Sequence, residues 1–412
     1  MNILFLNNYN YLRGGSEQVY FGEMSMMKAH GHEVGAFARR TPVDFPSELA
    51  GFFPEDMKTD SLSLGFGAFR TLREIIYSTE SKKCLGQLLG EMTPDVVHAH
   101  NIYGRLTTST LDLLNSRNIP IVMTLHDYKL ICPSYKLMCN GRVCEACKGK
   151  KFFSAIWNKC HKNSRIASAV YAFESWFNDF FKKYEKNVDF FIAPSRFLKS
   201  KLFEFGIPDE KIVYIPNYIP VQNLIPTYTS ENYLVYIGRL SAEKGISTLI
   251  RAFRSLKEGH TRLMVVGDGP MREPLEALAG DDGRIQFTGF LSGRELADIT
   301  RNARAVVVPS EWYENAPISI LEAFAFGKPV IGGRIGGIPE MVEDGRNGLL
   351  FESGNADDLF DKLNLFLSYS SKGIMEMGQA ARKKAEAEYN PELHYEKLIE
   401  VYQKAIDLRA CK

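Results

Sequence analysis

The segment Ala305-Val-Val-Val-Pro-Ser-Glu-Trp-Tyr-Glu314-Asn-Ala-Pro-Ile-Ser-Ile-Leu-Glu322 decides how the chain is read. Four apolar, mostly β-branched residues ended by Pro309 describe a short strand buried on both faces, as in a parallel sheet. A loop follows. Pro317 then opens an apolar helix, since proline is tolerated at a helix start and has no N–H to lose there. Glu314 is expected on the loop leaving the strand, with Glu322 about two helical turns further along on the same side. The first free backbone N–H groups of the helix would lie between the two carboxylates, and a helix N-terminus attracts anions. Carboxylates accept hydroxyl hydrogen bonds, so the pattern suits a ligand with two polyol ends joined by phosphate, as in a nucleotide sugar.

The same strand–loop–helix unit recurs on both sides of this segment. In the second half the spacing predicts strands at Tyr233–Ile237, Arg262–Val266, Ile285–Thr288, Ala305–Val308 and Pro329–Gly332. Helices are predicted at Ile246–Lys257, Met271–Leu278, Arg294–Asn302 and Ile318–Phe326. In the first half, strands are predicted at Ile3–Asn7, Val34–Ala38, Asp95–His98, Ile119–Leu125, Phe190–Ala193 and Ile212–Ile215. A helix is expected from Ser16, as N-cap, to His30. An irregular stretch over Phe45–Ser63 and a helix to about Gly90 follow. Alternation of this kind means right-handed crossovers and parallel sheets. Residues 216–230, with Pro216, Pro220 and Pro226, lack periodicity and read as a linker. The expected architecture is therefore α/β, with an N-terminal domain over 1–215 and a C-terminal domain over 231–390 facing each other across a cleft. The tail from Ala380 to Leu408 is expected to be helical, with a C-terminal helix over 391–412 ending the chain. Ligands of such sheets gather at the carboxyl ends of strands.

Chemistry-bearing residues follow strands as that rule requires. Gly238-Arg239 and Glu243-Lys244-Gly245 follow one strand. Arginine offers a planar fork and lysine a compact charge to phosphate oxygens. Two such cations offset a diphosphate without a divalent metal, so no cofactor is expected for catalysis. Gly14-Gly15 follows the first strand and bares the next helix start. Gly267-Asp268-Gly269-Pro270 and Gly336-Gly337 are similar strand-to-helix turns. His126-Asp127 ends another strand, where an imidazole can bond a sugar hydroxyl or act as a base. His98, His100 and Asn101 end the strand before it and are expected to line an acceptor side.

Composition limits the remaining readings. Of 412 residues, 45% are hydrophobic and 24% charged, with formal net charge +1, so no global drive toward nucleic acid exists. No run of 18 apolar residues appears, and Met1-Asn-Ile-Leu-Phe-Leu reads as a strand, not a signal peptide. A cytoplasmic protein is expected. One segment departs from this balance: residues 129–186 hold 12 Lys/Arg against 4 Asp/Glu, interleaved with Trp157, Phe173, Trp176, Phe180 and Phe181. That mixture admits either an internally packed aromatic helix or a peripheral contact with a membrane surface. The segment also carries Cys132, Cys139, Cys144, Cys147 and Cys160. A Cys144-x-x-Cys147 pair without a secretion signal points to a thiolate metal site rather than disulfides. A structural zinc would take Cys144, Cys147 and Cys160 first, with Cys132 or Cys139 as the fourth ligand and His161 as substitute.

In order and spacing these motifs resemble glycosyltransferase family 4, the retaining nucleotide-sugar transferases of GT-B fold with two Rossmann-like domains. The resemblance rests on Gly14-Gly15, His126-Asp127, Ala193-Pro194-Ser195, Ile215-Pro216-Asn217, Gly238-Arg239-Leu240, Glu243-Lys244-Gly245, Gly267-Asp268-Gly269-Pro270, Gly336-Gly337-Ile338-Pro339-Glu340 and the Glu314…Glu322 pair. It implies that Arg239 and Lys244 hold the donor diphosphate, Glu322 the ribose and Glu314 the donor sugar. Backbone around Asn315, Ala316, Pro317 and Ile318 would meet sugar and phosphate. Because Pro317 has no N–H, Ala316 and Ile318 must supply the donors. Gly15 would approach the diphosphate and His126 would lie beside the reacting sugar. The cysteine segment departs from a minimal member. The implied partners are a nucleotide-diphosphate sugar and a glycan or lipid-linked acceptor. A sugar-nucleotide epimerase, a phosphorylase, or a catalytically silent nucleotide-sugar-binding partner on the same fold are the competing readings.

Overall fold

The computed structural model describes residues 1–57, 66–256 and 259–411, with backbone alone for 66–70. Parts of the expected irregular stretch before residue 64, and the expected helix end at Lys257, lie outside the described residues. The chain forms two compact units. One comprises Met1–Asn140, Cys144–Ile215 and His394–Lys412, the other Gly141–Val143 and Pro216–Leu393.

The first unit is built on strands β1 (Asn2–Leu6), β2 (Glu33–Phe37), β3 (Val96–Ala99), β4 (Ile121–Thr124), β5 (Phe190–Ala193) and β6 (Ile212–Tyr214). They form one parallel sheet in the order β2-β1-β3-β4-β5-β6. Register is set by pairs such as Ile3↔Val96 and Val97↔Ile121. Ile3 to Leu6 are fully buried, as a sheet covered by helices on both faces requires. Helix Gly15–Ala29 has its N-cap two residues earlier than expected. Gly14, in extended backbone, is the N-cap, and Ser16 lies inside the first turn.

The second unit repeats the plan with β7 (Tyr233–Ile237), β8 (Arg262–Val266), β9 (Ile285–Gly289), β10 (Ala305–Val308), β11 (Val330–Gly333) and β12 (Gly348–Phe351). The parallel order is β9-β8-β7-β10-β11-β12. Two apolar clusters cover the sheet, one around Leu249, Phe253 and Leu363, the other around Leu321, Phe324 and Ala381. In each sheet the strand order reverses beside the first strand, between β1 and β3 and between β7 and β10. Loops leaving such neighbours diverge to opposite faces and open a crevice.

Several elements escaped the sequence reading. Helices Thr108–Ser116 and Arg196–Glu204, strand β12 and helix Ala356–Ser368 were not expected. The expected tail helix over 380–408 is two helices, Ser371–Glu388 and Pro391–Ala410, broken at Tyr389-Asn390 ahead of a proline. From His394 on, the last helix packs within the first unit. Arg409 Nε donates to both oxygens of Asp189 at 2.8 and 3.0 Å, with both side chains buried.

Candidate functional site

Two loops of the second unit meet at its reversal point. After β7 the chain turns through Gly238 and exposed Arg239, whose carbonyl accepts from the Tyr236 hydroxyl at 2.9 Å. It then runs to a short 3-10 turn, Ala242–Lys244, ended by Gly245 at φ +67. After β10 it runs through Pro309, Ser310 and Glu314 to helix Ile318–Ala325. The loops interlock: a Cβ on Gly245 would overlap the Pro309 carbonyl oxygen, and the Glu311 amide donates to the Glu243 carbonyl at 2.9 Å. Only glycine serves at 245, on steric and conformational grounds together.

The interlock brings Lys244 to Glu314. Lys244 Nζ donates to Glu314 Oε1 at 2.7 Å, and Ser310 Oγ donates to the same oxygen at 2.6 Å. Glu314 is buried, while the lysine side chain is a quarter exposed and lies 5.2 Å over the Trp312 ring. Arg239, by contrast, has no ion-pair or hydrogen-bond partner for its guanidinium among the described residues. Gly336 has φ +60 and lies so close to the Glu314 backbone that a side chain there would collide with it. The Gly337 amide donates to the Glu314 carbonyl at 2.8 Å. The Gly336-Gly337 turn therefore shapes the Glu314 loop from behind. Gly267 is packed against the Gly238 carbonyl in the same manner.

Glu322 differs from the expected picture in spacing. Helix begins only at Ile318, so half of the eight-residue interval from Glu314 is loop. Its half-buried carboxyl meets no side-chain partner among the described residues, and burial pushes it up to about 7. Pro317 is the N-cap and no side chain caps the helix, which leaves its first N–H groups open. Asn217 Nδ2 donates to the Ala316 carbonyl at 3.1 Å and steadies the turn.

The first unit gathers a different set. Gly14 and Gly15 are exposed at the start of helix Gly15–Ala29, which no side chain caps. Asn8 bridges the loops after β1 and β3, donating to the Tyr103 carbonyl at 2.9 Å and accepting from the Leu106 amide at 3.2 Å. Asn101 is half-buried and its Oδ1 is buried without a partner among the described residues. The expectation that His98 and His100 line an acceptor surface is corrected: both are fully buried. His98 bonds the Tyr402 hydroxyl at 2.7 Å and Thr124 Oγ1 at 2.8 Å, and His100 Nδ1 lies 2.8 Å from His126 Nε2. His126 and Asp127 retain partial exposure. Burial and the neighbouring His100 lower His126 to about 3, so its imidazole is neutral. Asp127 accepts from the Lys129 amide at 2.8 Å, and burial lifts its carboxyl to about 6.

Sequence reasoning missed Glu23. It lies on helix Gly15–Ala29 and is buried among His98, His100 and His394. Burial pushes its carboxyl up, but these imidazoles outweigh burial and leave it well below the ordinary range. A carboxylate in the middle of an otherwise apolar helix face was the available signal. Ser310, four residues before Glu314, was missed for want of any signal beyond its hydroxyl.

The five cysteines of the insertion are free thiols. Cys139 and Cys160 share a hydrogen bond, and burial raises both Cys147 and Cys160 to about 12. No three of their sulfurs lie within 4.8 Å of one another among the described residues. The group that meets that spacing is Glu23, His98 and His100. His161 packs on the Tyr171 ring at 4.1 Å.

Two six-stranded parallel sheets with their loops collected at the reversal points define the GT-B class of sugar-nucleotide architectures. The chain belongs to glycosyltransferase family 4, whose model matches residues 13–223, and a model described as glycosyl transferases group 1 matches residues 223–384. Among curated proteins it is similar to the sulfoquinovosyl transferase SQD2 of Arabidopsis thaliana, 34% identical over 156 residues, 37% of this chain and 30% of that one. The chain spans about half or less of the length of that and other curated relatives it matches. Among solved structures it is similar to sucrose-phosphate synthase from Thermosynechococcus elongatus, with TM-score 0.72, 20% identity and full coverage of both chains. It is likewise similar to HepE from Anabaena in complex with UDP-glucose, with TM-score 0.66, 18% identity and coverage of 98% of this chain and 100% of that one. At these identities the structural likeness carries the fold alone. Among the described residues, no helix is long and apolar enough to cross a membrane.

Proposed function

We propose that the chain is a retaining glycosyltransferase that moves a sugar from a nucleotide-diphosphate sugar to a glycan or lipid-linked acceptor. One observation carries the reading. In the second unit, a buried Glu314 held by Lys244 and Ser310 stands with an unpaired Arg239 guanidinium on the two loops of the reversal point. A free arginine fork and a partly exposed lysine suit two phosphates. Glu314 keeps its second oxygen for a sugar hydroxyl, and Glu322 suits ribose hydroxyls. The open N–H groups of Ala316 and Ile318 suit phosphate or sugar oxygens. HepE, of the same fold, is solved with UDP-glucose, which supports the donor class.

The reaction follows from these roles. The bond from the anomeric carbon to the donor phosphate oxygen breaks, and the electron pair stays on the diphosphate, where Arg239 and Lys244 stabilise it. The acceptor oxygen forms its bond on the same face, and its proton passes to a donor phosphate oxygen. Two fixed side-chain cations offset the leaving charge, so no catalytic cofactor is invoked.

The insertion supports a contact with an anionic membrane surface. Phe173, Trp176 and Phe180 form a stripe on helix Arg165–Phe180, with Trp176 and Phe180 stacked at 5.2 Å. Trp157, Ile166 and Phe180 are 76%, 81% and 63% exposed. Lys151, Lys159, Lys162, Arg165 and Lys186 stand exposed around them in the chain. Exposed aromatics with basic neighbours are the makeup of interfacial contacts.

The deciding experiment screens nucleotide sugars for a ligand-induced rise in melting temperature, because a ligand of the folded state alone stabilises it. The donor so found is then offered with acceptor fractions and the product anomer read by NMR. A crystal soaked with UDP or GDP that placed the nucleotide away from Arg239, Lys244 and Glu322 would overturn the reading. Donor binding without turnover would identify the silent partner instead.

A further inference from the structure

A buried chain of three groups runs from helix Gly15–Ala29 to the end of β4. Glu23 is 1% exposed, and its Oε1 accepts from His394 Nε2 at 3.0 Å. Its Oε2 lies 3.3 Å from His100 Nε2 and 3.3 Å from His98 Nδ1. Glu23 Oε2 and His100 Nε2 are both buried and neither has a well-aligned hydrogen-bond partner among the described residues, so the 3.3 Å approach sets an orphaned carboxylate oxygen against an orphaned ring nitrogen. On the opposite edge of the same ring, His100 Nδ1 lies 2.8 Å from His126 Nε2, and the two rings are stacked at 5.1 Å.

The proton positions follow from chemistry. A carboxylate is acceptor-only, and a neutral imidazole carries one N–H and one lone pair. A lone pair on His100 Nε2 facing the carboxylate in this buried setting would be repulsive and leave both atoms unsatisfied. The N–H of His100 therefore sits on Nε2, which leaves Nδ1 as its acceptor. Two facing lone pairs cannot make the 2.8 Å contact with His126, so His126 carries its proton on Nε2. Its Nδ1 is bare, and no protein group meets it among the described residues.

We propose that Glu23 and His100 are positioning residues that lock His126 in the Nε2–H tautomer, so that a bare Nδ1 accepts a hydrogen bond from a substrate hydroxyl. The inference rests on the reading of His126 as a sugar-contacting residue only for the identity of the hydroxyl. The tautomer itself is a property of the free protein. The last helix takes part through His394, which holds the far oxygen of Glu23.

A second arrangement makes the opposite prediction. Glu23, His98 and His100 offer ligand atoms within 4.8 Å of one another. A cation bound to His100 Nε2 would move that ring's proton to Nδ1, which would donate to His126 Nε2 and leave the His126 proton on Nδ1.

The test is long-range proton–nitrogen NMR of the full chain labelled with 15N-histidine, with His126 assigned by its loss in His126→Gln. The expected wild-type spectrum shows His126 protonated on Nε2 and bare on Nδ1, with a tautomer ratio on the order of tenfold or more, as a carboxylate facing a buried ring nitrogen imposes. In Glu23→Gln the neutral amide can donate or accept, so the ratio should fall toward unity. The identified transfer activity should then lose kcat more than KM. A wild-type His126 protonated on Nδ1 overturns the proposal, as does a ratio unmoved by Glu23→Gln. Because the wild-type spectrum decides the matter alone, a Glu23 variant that fails to fold does not shelter it. A failed nucleotide-sugar screen with the expected tautomer would refute the transfer reading and leave this lock standing.

Discussion

Replacing Glu322 by glutamine should stabilise the protein without ligand and weaken its hold on a nucleotide. Burial lifts the Glu322 carboxyl from the ordinary 4.5 to about 7, with no partner to draw it back. Between those values the folded chain keeps a proton that the unfolded chain has released, so stability falls as pH rises and the full loss is reached above pH 7. At about 1.4 kcal/mol per tenfold change in proton affinity, the ionised carboxylate costs up to roughly 3 kcal/mol at pH 8. The side chain keeps some solvent access, which makes this an upper figure. Glu322→Gln removes the cost, so its advantage over wild type should be largest at pH 8 and shrink to about a quarter of that by pH 5. Urea unfolding followed by circular dichroism at intervals from pH 5 to 8 measures the difference. In the same variant, the melting-temperature rise induced by the identified nucleotide sugar should be much reduced, since an amide accepts fewer hydroxyl hydrogen bonds than a carboxylate. An advantage independent of pH, or a variant less stable than wild type at pH 8, would refute the reasoning.

Other perturbations reach other parts of the molecule. Lys244→Ala and Glu314→Gln should each abolish transfer while leaving the circular dichroism spectrum intact, and wild-type turnover in either would break the site assignment. Arg409→Ala leaves Asp189 buried with its charge uncompensated and should cost about 3–5 kcal/mol in urea unfolding; a loss under 1 kcal/mol would show the helix held by apolar contacts instead. Trp157→Ser with Phe180→Ser should reduce co-sedimentation with vesicles containing phosphatidylglycerol several-fold while leaving the nucleotide-induced thermal shift unchanged, and equal binding by both proteins would dispose of the membrane contact. A structural zinc is proposed for the cysteine insertion. It must displace protons from thiols that burial raises to about 12, so zinc uptake should strengthen with pH, protect thiols from a chromogenic disulfide and raise Tm. Full thiol reactivity and an unchanged Tm at saturating zinc would exclude it.

Much of the fold was legible because both sheets are parallel and fully covered. Runs such as Tyr233–Ile237, Ala305–Val308 and Phe190–Ala193 match the observed strands to the residue, since a strand buried on two faces has no charged positions to blur its ends. Helices Thr108–Ser116 and Arg196–Glu204 escaped because their polar content hides a narrow apolar stripe that only packing reveals. The charged residues of the second unit were legible for a related reason. Arg239 and Lys244 lie on the loop after β7 and Glu314 on the loop after β10, and the carboxyl end of a parallel strand is where such side chains emerge.

The sequence by itself determined the two α/β halves, the chemical types in the loops and the cationic aromatic insertion, because each of these is written in local pattern and composition. Tertiary structure decided which of these groups meet. Gly245 and Gly336 owe their identity to backbone that approaches from loops tens of residues away, and Lys244 finds Glu314 only because those loops interlock. His98 and His100 look like site residues in sequence, yet lie in the core beside a glutamate 75 or more positions earlier and a histidine almost 300 later. A buried charge is tolerated only where distant partners converge on it, and convergence is a property of the folded chain.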